Sequence, residues 1–311
     1  MLKKLKIMDW LVHGGHQYEF FKTGHDFYCT NLNGTAPNPE DLNRPTNKNV
    51  NYIREKDVRR KRFDVIIVRV GVSSKVYDIF RHGRSGRLPG IAVMQTHTPF
   101  DVPRWVRCCV WNSKVSMDKF KGQLSGKKHF YIPHGFDPNE FDLLNLERNG
   151  RVLSAGNVFK RRGGLLGFDD WRWVSGQLGK CDLIGHGNKG LIESVGNFGL
   201  EGLVQHYNKY SVFLNTTTKS AMPRTRAEAL MCGTPVVTTN NYGIDKYLKH
   251  GVNCFFANNK IDMLKYCNKI LESKSLQEEM GFAGREQAKK YFHIDDYIKR
   301  WRNVFEEVLT R

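Results

Sequence analysis

Apolar residues along this chain gather in short runs, separated by helical patterns and glycine-bearing turns. The runs Leu5–Leu11, Asp64–Val70, Gly90–Gln95, Cys108–Trp111 and Phe130–Ile132 predict strands in the first half. After residue 150 the runs Arg151–Ala155, Cys181–Ile184, Val212–Asn215 and Thr234–Thr238 predict more. Their centres are apolar without clean alternation, as strands covered on both faces require. Strands alternating with helical patterns imply βαβ units around parallel sheets. Two helical stretches, about 260–289 and 294–309, close the chain, and residues 31–50, rich in Asn, Pro and Thr, read as a long loop.

A chain of 311 residues has room for two domains, each with its own core. The turn Pro133-His134-Gly135-Phe136-Asp137-Pro138 is followed by a polar stretch ending at Asn149-Gly150, where a fresh strand begins. The expected division is therefore a Rossmann-like domain over 1–148, a second over 149–290, and a helix over 291–311 packing back towards the first. Two doubly wound domains of this kind face a central cleft, and ligands bind outside the carboxyl ends of the strands.

Composition excludes several classes. No run of 18 apolar residues exists, so no membrane span is expected. The start Met1-Leu2-Lys3-Lys4 lacks a following apolar region and cleavage site, so it reads as leading into a first strand and the protein as cytoplasmic. Seven cysteines without a CxxC pair predict reduced, buried thiols, and eleven histidines without metal-ligand spacing predict no metal site. The net charge of +18 is concentrated: residues 51–130 hold 18 Lys and Arg against 6 Asp and Glu, a local +12. The cluster includes Arg54, Lys56, Arg59, Arg60, Lys61 and Arg62, then Arg69, Lys75, Arg81, Arg84 and Arg87. A surface of one sign at this density attracts polyanions.

Candidate chemistry centres on Tyr210 to Phe256. A strand runs into the polar loop Thr216 to Pro223, and a helix follows that carries Glu228 and ends in Cys232-Gly233-Thr234-Pro235. Pro223 suits a first helical position, and a helix starting there aims free N–H groups and its positive dipole end at the loop, a site for a diphosphate. Arg224 and Arg226 add charge beside it, with Thr225 between them, and Glu228 is placed to accept from ribose hydroxyls. In the N-terminal half, Gly14-Gly15 follows the first strand and opens a helix, letting backbone approach a ligand closely, and His16 stands next to it.

These segments resemble a known family, the retaining GT-B glycosyltransferases called group 1. Ala227-Glu228-Ala229-Leu230-Met231-Cys232-Gly233-Thr234-Pro235-Val236-Val237 is similar to that family's LEAMACGTPVV, the end of its E-x7-E motif. Tyr131-Ile132-Pro133-His134-Gly135-Phe136-Asp137 resembles VIPNGVD, and Leu153-Ser154-Ala155-Gly156-Asn157 through Arg162-Gly163 resembles the vGR…KG strand and loop. Lys249-His250-Gly251-Val252-Asn253-Cys254-Phe255 is similar to hGxNGf. Together the matches cover about 130–256. Two positions depart: Ser220 stands where the family has its first Glu, and Asn157 where it has arginine.

The resemblance implies a GT-B fold and transfer of a sugar, with retention, from a nucleoside diphosphate sugar, a UDP-sugar, with no obligatory cofactor or metal. It assigns Glu228, Arg162 and His97 to the catalytic centre, His97 lying beside the reacting sugar after the strand that ends in Gln95. Arg162 grips the diphosphate, with Arg161 as second choice, since arginine pairs phosphate oxygens bidentately. Gly14, Gly15, Asn157, Ser220, Pro223, Arg224 and Thr225 complete the donor side. GT-B enzymes bind acceptors mainly on the N-terminal domain, where the positive charge lies here. The expected acceptor is a hydroxymethylated base in duplex DNA, met by His16, Arg59, Arg60, Arg62 and Arg84. The alternatives are an envelope lipid or polysaccharide acceptor, or a degenerate enzyme that survives as a nucleic-acid-binding protein.

Overall fold

The computed structural model describes residues 3–58, 60–71, 88–241 and 243–310. The chain forms two compact units, Met1–Gly135 with Ile294–Arg311, and Phe136–His293. Two of the expected acceptor residues, Arg59 and Arg84, lie outside the described residues.

The first unit is a seven-stranded parallel sheet in the order β3-β2-β1-β4-β5-β6-β7. Its strands are β1 (Lys6–Trp10), β2 (Asp26–Thr30), β3 (Val50–Tyr52), β4 (Val65–Val68), β5 (Gly90–Met94), β6 (Val106–Trp111) and β7 (Lys128–Tyr131). Side chains alternate between the faces of a strand, and both faces are covered here. Ile7, Val65, Ile67, Ile91 and Val93 pack into one layer, whereas Met8, Ile66, Val68, Ala92 and Met94 pack into the other. That is why these strands read as unbroken apolar runs. Helix α1 (Gly14–Phe21) supplies Phe20 and Phe21 to the first layer, and the chain's last helix, Ile294–Leu309, adds Trp301 and Phe305. The rings of Phe20 and Trp301 lie 4.4 Å apart. A short helix α2 (Glu55–Val58) and α3 (Lys114–Phe120) add Val58 and Met117 to the second layer.

The second unit is a six-stranded parallel sheet in the order β10-β9-β8-β11-β12-β13. It comprises β8 (Val152–Ala155), β9 (Cys181–Ile184), β10 (Ser194–Gly196), β11 (Val212–Asn215), β12 (Val236–Thr239) and β13 (Phe255–Ala257). Six helices surround it: α4 (Gly163–Leu166), α5 (Phe168–Leu178), α6 (Leu200–Lys209), α7 (Arg224–Met231), α8 (Lys260–Leu271) and α9 (Lys274–Phe292). Val152, Leu183, Val212, Leu214 and Val237 form its core with Trp171 and Met263. Both sheets place their first strand in the middle and wind outwards in both directions, the doubly wound order with a topological switch between β1 and β4 and between β8 and β11.

The division differs from the expected one at residue 148. Residues 136–149 belong to the second unit because their polar groups are satisfied there. The amide of Phe136 donates to Phe292 O at 2.8 Å, and that of Leu144 to Asn208 Oδ1 at 2.7 Å. Arg148 donates to the carbonyls of Tyr210 and Gly233, both at 2.6 Å. The expected strands omit β2, β3, β10 and β13. Two of these, β3 and β10, are three-residue edge strands with only partly buried side chains, so their apolar signal is weak. All seven cysteines are buried thiols without disulfide partners. Among the described residues no helix is long and apolar enough to cross a membrane.

Candidate active site

The carboxyl end of the second sheet gathers most of the expected donor residues. After β11 the chain enters the loop Thr216–Met222 and then α7. Pro223 is the residue just before the helix, at φ −62 and ψ 111, and not its first helical residue as expected; Arg224 takes that place. No side chain caps this end. The first amides of a helix have no intrahelical acceptor, so the turn at Arg224, Thr225 and Arg226 presents N–H groups with the positive dipole end. Thr225 and Ser220 are half-buried.

The loop bearing Arg161 and Arg162 is stitched to this one. Thr216 Oγ1 donates to Leu166 O and Thr218 Oγ1 to Gly164 O, each at 2.6 Å. The amides of Thr218 and Lys219 both donate to Leu165 O, at 3.0 and 3.1 Å. The two loops therefore move as one body. Arg161 and Arg162 are exposed, and neither guanidinium has a hydrogen-bond or ion-pair partner among the described residues. Partial burial lowers the pKa of Arg162 from the usual arginine value. Just ahead of them Val158 sits at φ +47, a left-handed conformation that β-branched residues rarely adopt. Its amide donates to His186 O at 2.7 Å, which holds the strained turn in place. Asn157 is committed to the same turn: its Oδ1 accepts from the amide of His186 at 2.9 Å. Gly185, at φ +133, brings its backbone so close that a Cβ would lie 2.4 Å from Gly156 O.

Glu228 is buried at 2% exposure and does not stand open to solvent. Its Oε1 accepts from Arg224 Nε at 2.8 Å and its Oε2 from Tyr207 OH at 3.0 Å. Arg224, expected as a further phosphate contact, is instead committed to this carboxylate and stacks over Phe136 with its guanidinium 4.5 Å from the ring centroid. The reason is spacing: residues four apart on a helix share a face.

The carboxyl end of the first sheet differs from expectation. Gly14 opens α1, but a Cβ there would meet Leu42 O at 2.8 Å, so close packing accounts for this glycine. The loop amides of Val12 and His13 already donate to Gln17 Oε1, at 2.8 and 2.9 Å, and are not offered to a phosphate. Gly15 follows within the helix. Gln17 in turn donates to Asp9 Oδ2 at 2.9 Å, and Asp9 takes a bidentate pair from Arg69 at 2.6 and 2.8 Å. Arg69, counted above in the basic cluster, is thus fully buried and neutralised. His16 is also buried, its ring 5.7 Å from that of His134 and 6.3 Å from that of Tyr297. That removes it from an exposed acceptor surface. His97 is half-buried in the loop after β5. Arg60 and Arg62 are exposed, together with Arg54, Lys56 and Lys61. Other cations of the cluster are spent internally: Lys127 on the carbonyls of Pro103 and Val106, Arg107 on that of Val308, and Lys128 on Glu307.

Sequence reasoning missed Tyr207, Asp9 and Gln17, and read Arg226 as added charge beside the diphosphate, whereas its guanidinium is buried on Thr238, Asn241 and Tyr247. Tyr207 sits on α6, 21 residues from the carboxylate it orients, and Asp9 is 60 residues from Arg69. No local spacing links such pairs; only the sheet order does.

Residues 181–287 match the family described as Glycosyl transferases group 1. No curated protein sequence matches the chain. Among solved structures, the chain is similar to Anabaena HepE in complex with UDP and glucose, with a TM-score of 0.76 at 14% identity over 97% of this chain and 99% of that one. It is also similar to a glycosyltransferase from Rickettsia africae, with a TM-score of 0.71 at 13% identity over 99% of both chains. Sucrose-phosphate synthase from Thermosynechococcus elongatus gives a TM-score of 0.73 at 13% identity over 99% and 100% of the two chains. The chain is a glycosyltransferase of two Rossmann-like α/β domains, the GT-B fold. The segment that matches the group 1 family, residues 181–287, contains Glu228 and the start of α7, which no side chain caps.

Proposed function

We propose that this glycosyltransferase transfers a sugar from a UDP-sugar, with retention at the anomeric carbon, to a hydroxymethylated base in duplex DNA. The observation that carries the donor half is the stitching of the Arg162 loop to the loop that opens α7. It unites an unpaired guanidinium with uncapped helix amides in one rigid body. A departing diphosphate gathers negative charge in the transition state, and preorganised donors aimed at it supply the largest catalytic contribution. Arg162 takes a bidentate hold on a phosphate oxygen pair, and the amides of Thr225 and Arg226 take the other side. Glu228, fixed by Tyr207 and Arg224, accepts from the ribose hydroxyls. Ser220 and Asn157 line the donor side.

The acceptor reading rests on the exposed cations of the first unit. Arg54 and Lys56 border a groove of about 520 Å³ lined also by Asn33, Thr35 and Glu55. Arg60, Lys61 and Arg62 continue the charge beyond it. Cations spaced along one face track phosphates of a duplex while a base is flipped out for chemistry.

Mass spectrometry of products from a panel of nucleotide sugars, offered plain and hydroxymethylated DNA, tests both halves. Sugar mass added to hydroxymethylated DNA alone, with the anomeric configuration of the donor kept by NMR, supports the reading. Donor turnover with no sugar on either DNA discards the acceptor half, and the absence of turnover with any donor discards the whole.

A further inference from the structure

Arg226 is a buried cation with no anionic partner among the described residues. It is 2% exposed, on the first turn of α7, and points to the segment after β12. Its Nη1 donates to Thr238 Oγ1 at 3.2 Å and to Asn241 Oδ1 at 3.4 Å, and its Nη2 to Tyr247 OH at 3.0 Å. Its Nε has no partner among the described residues. Every contact is neutral. Glu228 is the only acidic residue between Glu201 and Asp245, and it is engaged by Arg224. Burying a charge without a counter-charge is unfavourable, and a clamp on two hydroxyls and an amide needs no guanidinium.

The position of this cation says where an anion would come from. Thr238 and Asn241 lie at the carboxyl end of β12, where open parallel sheets bind their ligands. The same network reaches the loop that precedes α7: Thr238 Oγ1 donates to Asn215 Oδ1 at 3.3 Å, and Asn241 Nδ2 to Thr217 O at 2.6 Å. That loop, Thr216 to Met222, carries three threonines, a serine and a lysine but no carboxylate. A neutral sugar presents hydroxyls that seek acidic acceptors, whereas this rim offers hydroxyls and positive charge. The diphosphate already has the exposed Arg162 and the amides of α7.

We infer that the donor sugar is acidic, a nucleoside diphosphate hexuronate whose carboxylate is received by Arg226 and the hydroxyls of Thr217 and Ser220, since those of Thr216 and Thr218 already donate to Leu166 O and Gly164 O. This rests on the donor reading given above and names the substrate class of that site. The carboxylate completes the unmet Nε–H in a charge-assisted bond, and Thr238, Asn241 and Tyr247 keep the guanidinium oriented while the site is empty.

Calorimetric titration of the whole protein with UDP, UDP-glucose and UDP-glucuronic acid tests it. The expected result is UDP-glucuronic acid binding at least about tenfold more tightly than UDP-glucose, the factor of one charge-assisted bond. Arg226→Gln removes the preference and leaves UDP within about twofold of wild type, while Arg226→Lys retains part of it. Equal affinity for the two sugars in the wild-type protein overturns the inference without need of any variant. So does an equal loss for UDP and both sugars in Arg226→Gln, which gives the guanidinium to the diphosphate. So does a fall in thermal stability with the preference unchanged, which makes it a clamp. Failure of UDP and both sugars to bind the wild type is a different outcome, because it removes the donor reading itself.

Discussion

The two sheets share one strand order, and the first helix after the central strand starts at the same end in each, yet their carboxyl ends are finished differently. In the first unit Asp9, Gln17 and Arg69 satisfy one another, and Gln17 consumes the amides of Val12 and His13. In the second unit the helix start after Pro223 has no side-chain cap, Arg161 and Arg162 are unpaired, and Arg226 is buried with no anionic partner among the described residues. Closed and open ends on one topology teach that the fold provides the place for a ligand, but the side chains decide whether the place is vacant. On the proposed reading the donor diphosphate belongs to the open end of the second unit.

Removing Asp9 gives the largest expected effect. Asp9→Ala strands Arg69 in the core and costs about 3–5 kcal/mol of unfolding free energy in urea, whereas Asp9→Leu with Arg69→Met restores most of it. If the single change costs no more than a surface substitution, the closed end of the first sheet is not held as described.

Arg162→Ala is the counterpart at the open end. An exposed, unpaired guanidinium contributes within about 0.5 kcal/mol to stability, so the melting curve barely moves, but kcat falls by about 10²–10³-fold as a transition-state donor is lost. Loss of stability with turnover intact would reverse the contrast between the ends.

Gly185→Ala follows in size. The new methyl meets Gly156 O at 2.4 Å at a positive φ, and the strained turn of Asn157 and Val158 must yield, at about 1–3 kcal/mol. A crystal structure of the variant with that turn unmoved would contradict the expectation.

The smallest effect is on pH dependence in the first unit. Burial lowers the pKa of His25 and of His129 from the ordinary value of 6.5. The unfolded chain then binds protons that the folded one refuses, so stability is full above about pH 6.5 and falls as pH drops through the window below it. His25→Gln, which keeps an acceptor for the Leu5 amide, flattens that slope. Urea unfolding at a series of pH values checks both the sign and the window.

The architecture was largely legible because strands buried on both faces leave unbroken apolar runs, as at Val65–Val68 and Val212–Asn215. The edge strands Val50–Tyr52 and Ser194–Gly196 leave almost no such trace. At the site, Glu228, Pro223 and Arg162 were legible through local motifs, but their states were not. Glu228 turns out buried and paired because Arg224 lies one turn away and Tyr207 approaches from another helix. Arg69 looked like a surface cation because sequence neighbours cannot reveal a partner 60 residues away. His16 and Gly14 looked like ligand groups because a βα turn has the same sequence whether its glycine meets a phosphate or the Leu42 carbonyl.

The claim that the open end of the second sheet holds the diphosphate is tested most directly by titrating UDP into the wild-type protein and into Arg162→Ala. The account predicts binding to the wild type and an affinity at least about tenfold weaker in the variant, the 1.4 kcal/mol scale of a charge-assisted hydrogen bond. Equal UDP affinity in the two proteins would contradict it.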